Sequence, residues 1–527
     1  MKQMWQRSVS PVALLAAVIA IGAGIGGAQA AGTLVVDTGF QLKTADPARE
    51  FEPTANLFLH AVYQNLVTFE GGDLTKLVPS LAALPTISAD AKTFTFELDP
   101  KAKFSDGSPV TVDDVIFSLN RVAHVKGSPS FLMDGITVAA GSKPGEVVLT
   151  AANPDPGLPF KLTNPALAIL NSKVLGANGG VADATASTAD KADAYLAKAS
   201  VGSGPYVLDK FDMASEVDLK ANPDYWGTPA PYDEIVIRNV DSSAQQMNVI
   251  RGASQIALDL RPDQVTSLGD GVNVVQAAGS DIAFLFANLD PAISPVASNK
   301  DFREAVRDAI DYDGLLAIVG DGAQRPGGIV PSMFGGALAA ADGAKYDVTA
   351  AKAALARSGV ANPTVDFAYA SDLTKDGVSF ADVAAKLQQD LQAVGITVNL
   401  KPEPVASNLD GYRSGKLPFS VQWWGPDFPD PSDYLLFNPG QLVGLRAGWK
   451  AGAAPDIVAL ADKAAASSDP AARPALYGAW QKALNAEGPF IPLFQPAVTV
   501  VSSKTLDPVP YNAMWTVDLG AVKPASK

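Results

Sequence analysis

The chain has 527 residues, 47% of them apolar, which is too long for one hydrophobic core and rich enough to fill two or three. It contains no cysteine, so disulfides, thiolate metal sites, cysteine nucleophiles and a lipid-modified cysteine behind a leader are all excluded. A formal charge of −15, scattered without an acidic tail, argues against nucleic acid as a partner, because neutralising phosphates needs a positive surface.

Residues 1–30 read as an export signal and not as part of the fold. Lys2 and Arg7 supply the positive start, 12–25 is an apolar run too short for a comfortable membrane span, and Ala28-Gln29-Ala30 fits small-x-small cleavage. The mature chain is expected to begin near Ala31, to carry −17 once Lys2 and Arg7 are gone from the −15 total, and to be soluble in the periplasm. Further along, 92–98 alternates as a strand, with Phe94, Phe96 and Leu98 on one face. A helix follows over 111–125, where Thr111 and Asp114 have capping-box spacing and Val115, Leu119, Val122 and Ala123 share a stripe. The stretch 176–200, rich in Ala, Asp and Gly, predicts a loop and a short surface helix. In 301–310, Asp301 and Glu304 are expected to cap a helix burying Phe302, Ala305, Val306, Ala309 and Ile310. Val383, Leu387 and Leu391 mark a last helix that Gly395 can end before another strand. Helices alternating with strands argue an α/β chain, and no internal repeat is visible.

Catalytic patterns are missing. His60 and His124 are far apart and fall on helices, where structural roles suit them better than catalysis; no G-x-S-x-G, P-loop or H-E-x-x-H occurs. The segment WWGPDFPDPSDYLLF at 423–437 is the most unusual: two tryptophans run into Asp427, Asp430 and Asp433, and prolines forbid a regular helix. Three carboxylates raise the question of a hard cation, but there is no turn glycine and no closing glutamate at calcium-loop spacing, so neither metal nor cofactor is expected. Asp430 and Asp433 read as caps of turns and of the helix at DYLLF. A carboxylate pair for glycoside hydrolysis has no sequence signature and stays open.

Four motifs in order carry a family likeness: KFSDGSPVTVDDVIFSLNRV, VGSGPYVL at 201–208, NPDYWG at 222–227 and FREAVRDAIDYDGLLAIVGDG at 302–322. The chain resembles the peptide-binding class of ABC-importer substrate-binding proteins, solute-binding family 5, over nearly all its mature length. The resemblance implies an α/β, bilobal periplasmic-binding-protein fold of class II with a third, inserted domain. By position, domain I would comprise 31–72, 201–286 and 490–527, domain II 73–200 and domain III 287–489, with hinge crossings near 284–289 and 490–494. It implies a non-enzymatic, monomeric receptor that hands a peptide, peptide conjugate or oligosaccharide to an ABC permease and its ATPase subunits. Oligosaccharide, opine or metal complex are the alternative ligands, and a secreted glycoside hydrolase is the alternative outside this class.

In the family a glycine- or tryptophan-containing strand leads to an aspartate that takes the ligand α-amino group, which here matches Trp424 and Asp427. Trp423 to Gly425 would wall the cleft, Trp424 would cover an apolar face, and Asp427 would receive an ammonium. Trp423 divides between pocket and packing. The loop ADPAREFEPTAN offers Phe51 and Glu52, and GSPSFLMDG offers Phe131. Two departures stand out: where dipeptide binders tend to offer an arginine for the ligand carboxylate, this chain offers only Lys375, and Pro426 lacks an N–H for a peptide carbonyl. Lys375 reads either as that point charge or as a solvated loop lysine.

Overall fold

A computed structural model describes residues 32–526; the export signal expected at 1–30 lies outside the described residues. Thr33–Thr38 buries Leu34 and Val36 and runs parallel to Glu234–Asn239 on one side and Ile256–Ala257 on the other. Antiparallel strands extend this sheet to seven: Glu216–Ala221 and Tyr206–Asp212 at one end, Ala497–Ser503 and Val272–Ala278 at the other. The first lobe is thus assembled from parts of the chain far apart in sequence.

A five-stranded sheet forms the second lobe. Ile282–Ala287 is apolar and buried at all six positions, as befits a strand covered on both faces. Ala283, Leu285 and Ala287 enter one core with the helices Lys300–Ala309 and Phe380–Ala393, while Ile282, Phe284 and Phe286 enter another with Phe437, Tyr477 and Trp480. Phe419–Trp424 and Phe490–Phe494 flank this strand antiparallel, and Thr364–Ala370 and Thr397–Glu403 complete the sheet. A third unit is a four-stranded antiparallel sheet in which Phe94 and Phe96 are fully buried beneath the helix Val112–Val125. The fold is α/β and bilobal with a third unit. No helix among the described residues is long and apolar enough to cross a membrane.

Several local expectations meet the structure directly. Thr111 and Asp114 form a reciprocal capping box, and Gly395 takes a positive φ of 97° just past the helix Phe380–Ala393. The helix Lys300–Ala309 buries the expected face, but its cap is Asn299, whose side chain accepts from the Phe302 N–H at 3.1 Å. Asp301 and Glu304 instead face Arg357 on the surface. Residues 176–200 form a largely exposed loop with short helices, Ala186–Ala189 and Asp193–Leu196 among them, as expected, but Ala186, Ala192 and Leu196 anchor it in the core and Asp190 is an internal anion. Composition hid this because the anchoring partner, Arg121, is 69 residues away.

The passages between lobes lie beside the stretches expected to carry them. Residues 284–287 and 490–494 sit inside strands of the second sheet, where their apolar runs are buried. The chain crosses instead at 279–281 and 495–496, and the two crossings are tied together. The Gly279 N–H donates to the Pro496 carbonyl at 2.8 Å, and the Gln495 amide donates to the Gly279 carbonyl at 2.6 Å.

Candidate functional site

Phe419–Trp424 ends at the lobe junction, with Trp423 opposite Ala283 and Trp424 opposite Ile282. Gly425 and Pro426 then turn the chain away. A Cβ at Gly425 would stand 2.3 Å from an Asp281 carboxylate oxygen, so glycine lets the loop pass that side chain. Asp427 is fixed through its backbone: its N–H donates to Asp433 Oδ2 at 3.0 Å, and its carbonyl accepts from the Asn164 side chain at 2.7 Å. Phe428 is buried in the core of the third unit, which pins the loop from that side.

The result is a cavity of about 200 Å³ between the lobes. Trp423, Gly425, Pro426, Asp427 and Lys375 line it from the second lobe, and Ser280 and Asp281 from the crossing. Phe51, Pro53, Asn56 and Asn164 face them, with Ala513 and Met514 of the C-terminal segment. Asn56 holds that segment in place by donating to the Met514 carbonyl at 2.9 Å.

Charge in the cavity is predominantly negative. Burial pushes the Asp427 carboxyl up to about 7, partly offset by Arg446. Behind it, burial and then the Asp427 charge hold Asp433 well above the usual carboxylate range. The Asp427 carboxylate receives no hydrogen bond from any donor among the described residues, its ties being to its backbone. A recessed, half-buried carboxyl without a donor leaves its ionised form costly unless a cation pairs with it.

Of the residues singled out from sequence, Asp427, Trp423, Gly425, Phe51 and Lys375 share this cavity. Trp424 does not: successive strand side chains point to opposite faces, and its ring packs edge-on against Phe437 at 5.8 Å, with the Arg446 guanidinium 5.9 Å away. The lining tryptophan is Trp423, which also packs edge-on against Phe380 at 5.5 Å. Glu52 is turned toward an ion pair with Lys43. Phe131 stands behind Phe51, edge-on at 5.5 Å. Lys375 is part-exposed but not free, being ion-paired with Asp281 and 3.6 Å from Asp376. Burial opposes the Lys375 charge, but the two aspartates outweigh it and raise its pKa.

Asp281, Asn164, Asn56 and the Ala513-Met514 pair were not singled out from sequence. Asp281 left one trace, a charge abutting a wholly apolar strand. The others reach the cavity through contacts hundreds of residues apart. Asp430 belongs to the scaffold, accepting from Ser432 at 2.9 Å and holding Arg473 through two bonds of 2.7 Å. The histidines lie elsewhere: His60 stacks on Trp515 at 3.8 Å, and His124 bonds the Ala182 carbonyl. No cluster of three or more residues suited to a metal occurs among the described residues.

Residues 76–440 match the family described as bacterial extracellular solute-binding proteins, family 5 Middle. The chain is 26% identical over 493 residues to the "Probable D,D-dipeptide-binding periplasmic protein" of Escherichia coli strain K12, covering 91% of this chain and 92% of that one. It is 27% identical over 520 residues to "Di/tripeptide-binding protein 2" of Pseudomonas aeruginosa, covering 93% and 94%. Its fold superposes with a TM-score of 0.80 on an ABC transporter substrate-binding protein of Listeria monocytogenes, at 18% identity over 94% of this chain and 100% of the other.

Proposed function

The chain belongs to family 5 of the bacterial extracellular solute-binding proteins, and from that premise we propose that it is a periplasmic receptor that captures an amine-bearing peptide or peptide-like solute between its lobes. The loaded form is delivered to an ABC permease and its ATPase. Binding is a hinge transition: the solute favours the closed arrangement by contacting both lobes at once, and no covalent step is involved.

The observation that carries this reading is Asp427, a recessed carboxyl with no donor from its own chain, held rigidly by its backbone in a cavity between lobes. A carboxylate enclosed on closure is costly unless a cation pairs with it, so a solute ammonium is favoured and a neutral solute penalised. Trp423 and Phe51 offer apolar surface to the rest of the solute. Residues near the crossings at 279–281 and 495–496 would absorb the hinge rotation.

The test is calorimetric titration of the mature protein with a panel of di- and tripeptides, beside mass spectrometry of whatever solute co-purifies. Peptides with a free amino terminus should bind, and Asp427→Asn should weaken them by about 100-fold or more, the loss expected when one partner of a buried ion pair is removed. Equal affinities for the wild type and Asp427→Asn would remove Asp427 from the site.

A further inference from the structure

Lys375 is the one cation among the lining residues of the cavity, and it is already occupied. Its ammonium pairs with Asp281 and has Asp376 3.6 Å away. We propose that Asp281 acts as a built-in substitute for a solute carboxylate, so that this receptor selects solutes with an ammonium at one end and no free carboxylate at the other. The inference deepens the reading given above and rests on it for the identity of the solute cavity.

Three features hold the pair where it is. Asp281 is set at the crossing, immediately before a strand buried at every position, so its backbone has little freedom. Gly425 leaves the room its carboxylate occupies, since a Cβ there would be 2.3 Å from Oδ1. Lys375 sits on a tight hairpin pairing Thr374 with Ser379 and Lys375 with Val378, whose turn residues Asp376 and Gly377 have φ of 50° and 78°. That hairpin is pressed against the first lobe: a Cβ on Gly377 would meet the Pro262 ring at 2.9 Å. The backbone that carries Lys375 is therefore fixed, with its ammonium held within reach of Asp281 and Asp376.

A solute carboxylate near Lys375 would face Asp281 and Asp376 as well as the ammonium. If it displaced Asp281, that carboxylate would stay in the cavity, beside Gly425, without its partner. Either course costs binding, because like charges brought together inside an interface are penalised. A neutral carboxamide incurs neither cost. With Asp427 receiving the ammonium, amides of amino acids and peptides, and amine-bearing conjugates lacking a terminal acid, are the class that fits.

The experiment compares Ala-Ala, Gly-Leu and Ala-Phe, each as the free acid and as the C-terminal amide, by calorimetry on the wild type, Asp281→Asn and Asp427→Asn. The wild type should bind each amide at least about tenfold tighter than its acid. Asp281→Asn, which leaves Lys375 with Asp376 alone at 3.6 Å, should shift the preference toward the acids. A wild type that prefers the acids, or an acid-to-amide ratio that Asp281→Asn leaves unmoved, overturns the inference. In that case binding that still depends on Asp427 leaves the receptor reading intact. Binding of neither form overturns both, and binding indifferent to Asp427→Asn while Asp281→Asn shifts the ratio overturns only the role of Asp427. The wild-type ratio requires no variant to fold.

Discussion

The side-chain amide of Asn164 donates to the backbone carbonyl of Asp427 at 2.7 Å, joining the third unit to the loop that carries the candidate ammonium acceptor. The same asparagine caps the short helix Pro165–Leu167, accepting from the Ala166 N–H at 2.9 Å. Asn164→Ser separates the two roles, since a serine hydroxyl can cap the helix but is too short to reach Asp427. Unfolding free energy should fall by about 0.5–1.5 kcal/mol, the worth of one neutral hydrogen bond, and affinity for an amine-bearing solute by about three- to tenfold as the loop loses its tether. Titration calorimetry and urea unfolding on the same preparation check both halves.

Asp427 also sets a pH dependence. Burial pushes its carboxyl up to about 7 in the folded, solute-free protein, and only the ionised form can pair with an ammonium. Affinity for amine-bearing solutes should therefore climb from pH 5.5 to 7.5, then fall as the solute amine itself deprotonates near pH ~8. Stability of the free protein runs the other way. A carboxyl raised from 3.8 binds its proton more tightly when folded, so its contribution is present at low pH and is lost as pH rises through about 7. Denaturant unfolding of the free protein at pH 5 and 7.5 should show that decline, and Asp427→Asn should make it shallower. An Asp427→Asn variant whose affinity keeps the wild-type pH profile would assign the dependence to another group.

Within the third unit, Arg121 is buried and bridges two aspartates whose side chains have no exposure. It bonds Asp46 at 2.7 and 2.5 Å and Asp190 at 2.8 and 2.9 Å. Arg121→Met fills similar volume but leaves Asp46 and Asp190 to share Arg49 as their one remaining cation partner, which should cost about 3–5 kcal/mol. Asp190 also accepts from the Val181 N–H at 2.8 Å, so the loss should spread through 176–200. Urea unfolding measures the first effect. Limited proteolysis should reveal new cleavage within 176–200 if Asp190 is the anchor.

What could be read in the sequence and what could not divides along the range of the interactions. Phe94 and Phe96, the Thr111–Asp114 box and the buried stripe of Phe302, Val306 and Ala309 are local patterns, set by the periods of strand and helix, and each is found where expected. The aromatic and acidic loop was legible for a similar reason: prolines and a glycine within five residues forbid regular structure while tryptophan and aspartate advertise a surface. Asp281, by contrast, acquires its meaning only from Lys375 and Gly425, which are 94 and 144 positions further on. Asn164 and Met514 enter the cavity from other parts of the chain with no pattern around them. Lys375 was visible as a charge, but its occupant was not, and occupancy decides what the lysine can recognise.

The adjacent tryptophans show the same limit and give the last test. Period two guarantees that Trp423 and Trp424 point to opposite faces, yet only the pairing with Ile282–Ala287 decides which one fronts the cavity. Trp423 does, while Trp424 lies against Phe437 and Arg446. Trp423→Ala should therefore lower solute affinity about tenfold through lost apolar contact, with a modest effect on folding. Trp424→Ala should act chiefly on stability, by up to about 3 kcal/mol for an aromatic ring removed from a partly buried site. Indole fluorescence separates the two residues without relying on affinity. A solute-induced change in emission should survive in Trp424→Phe and be largely lost in Trp423→Phe, and the opposite pattern would place the solute on the other face of the strand.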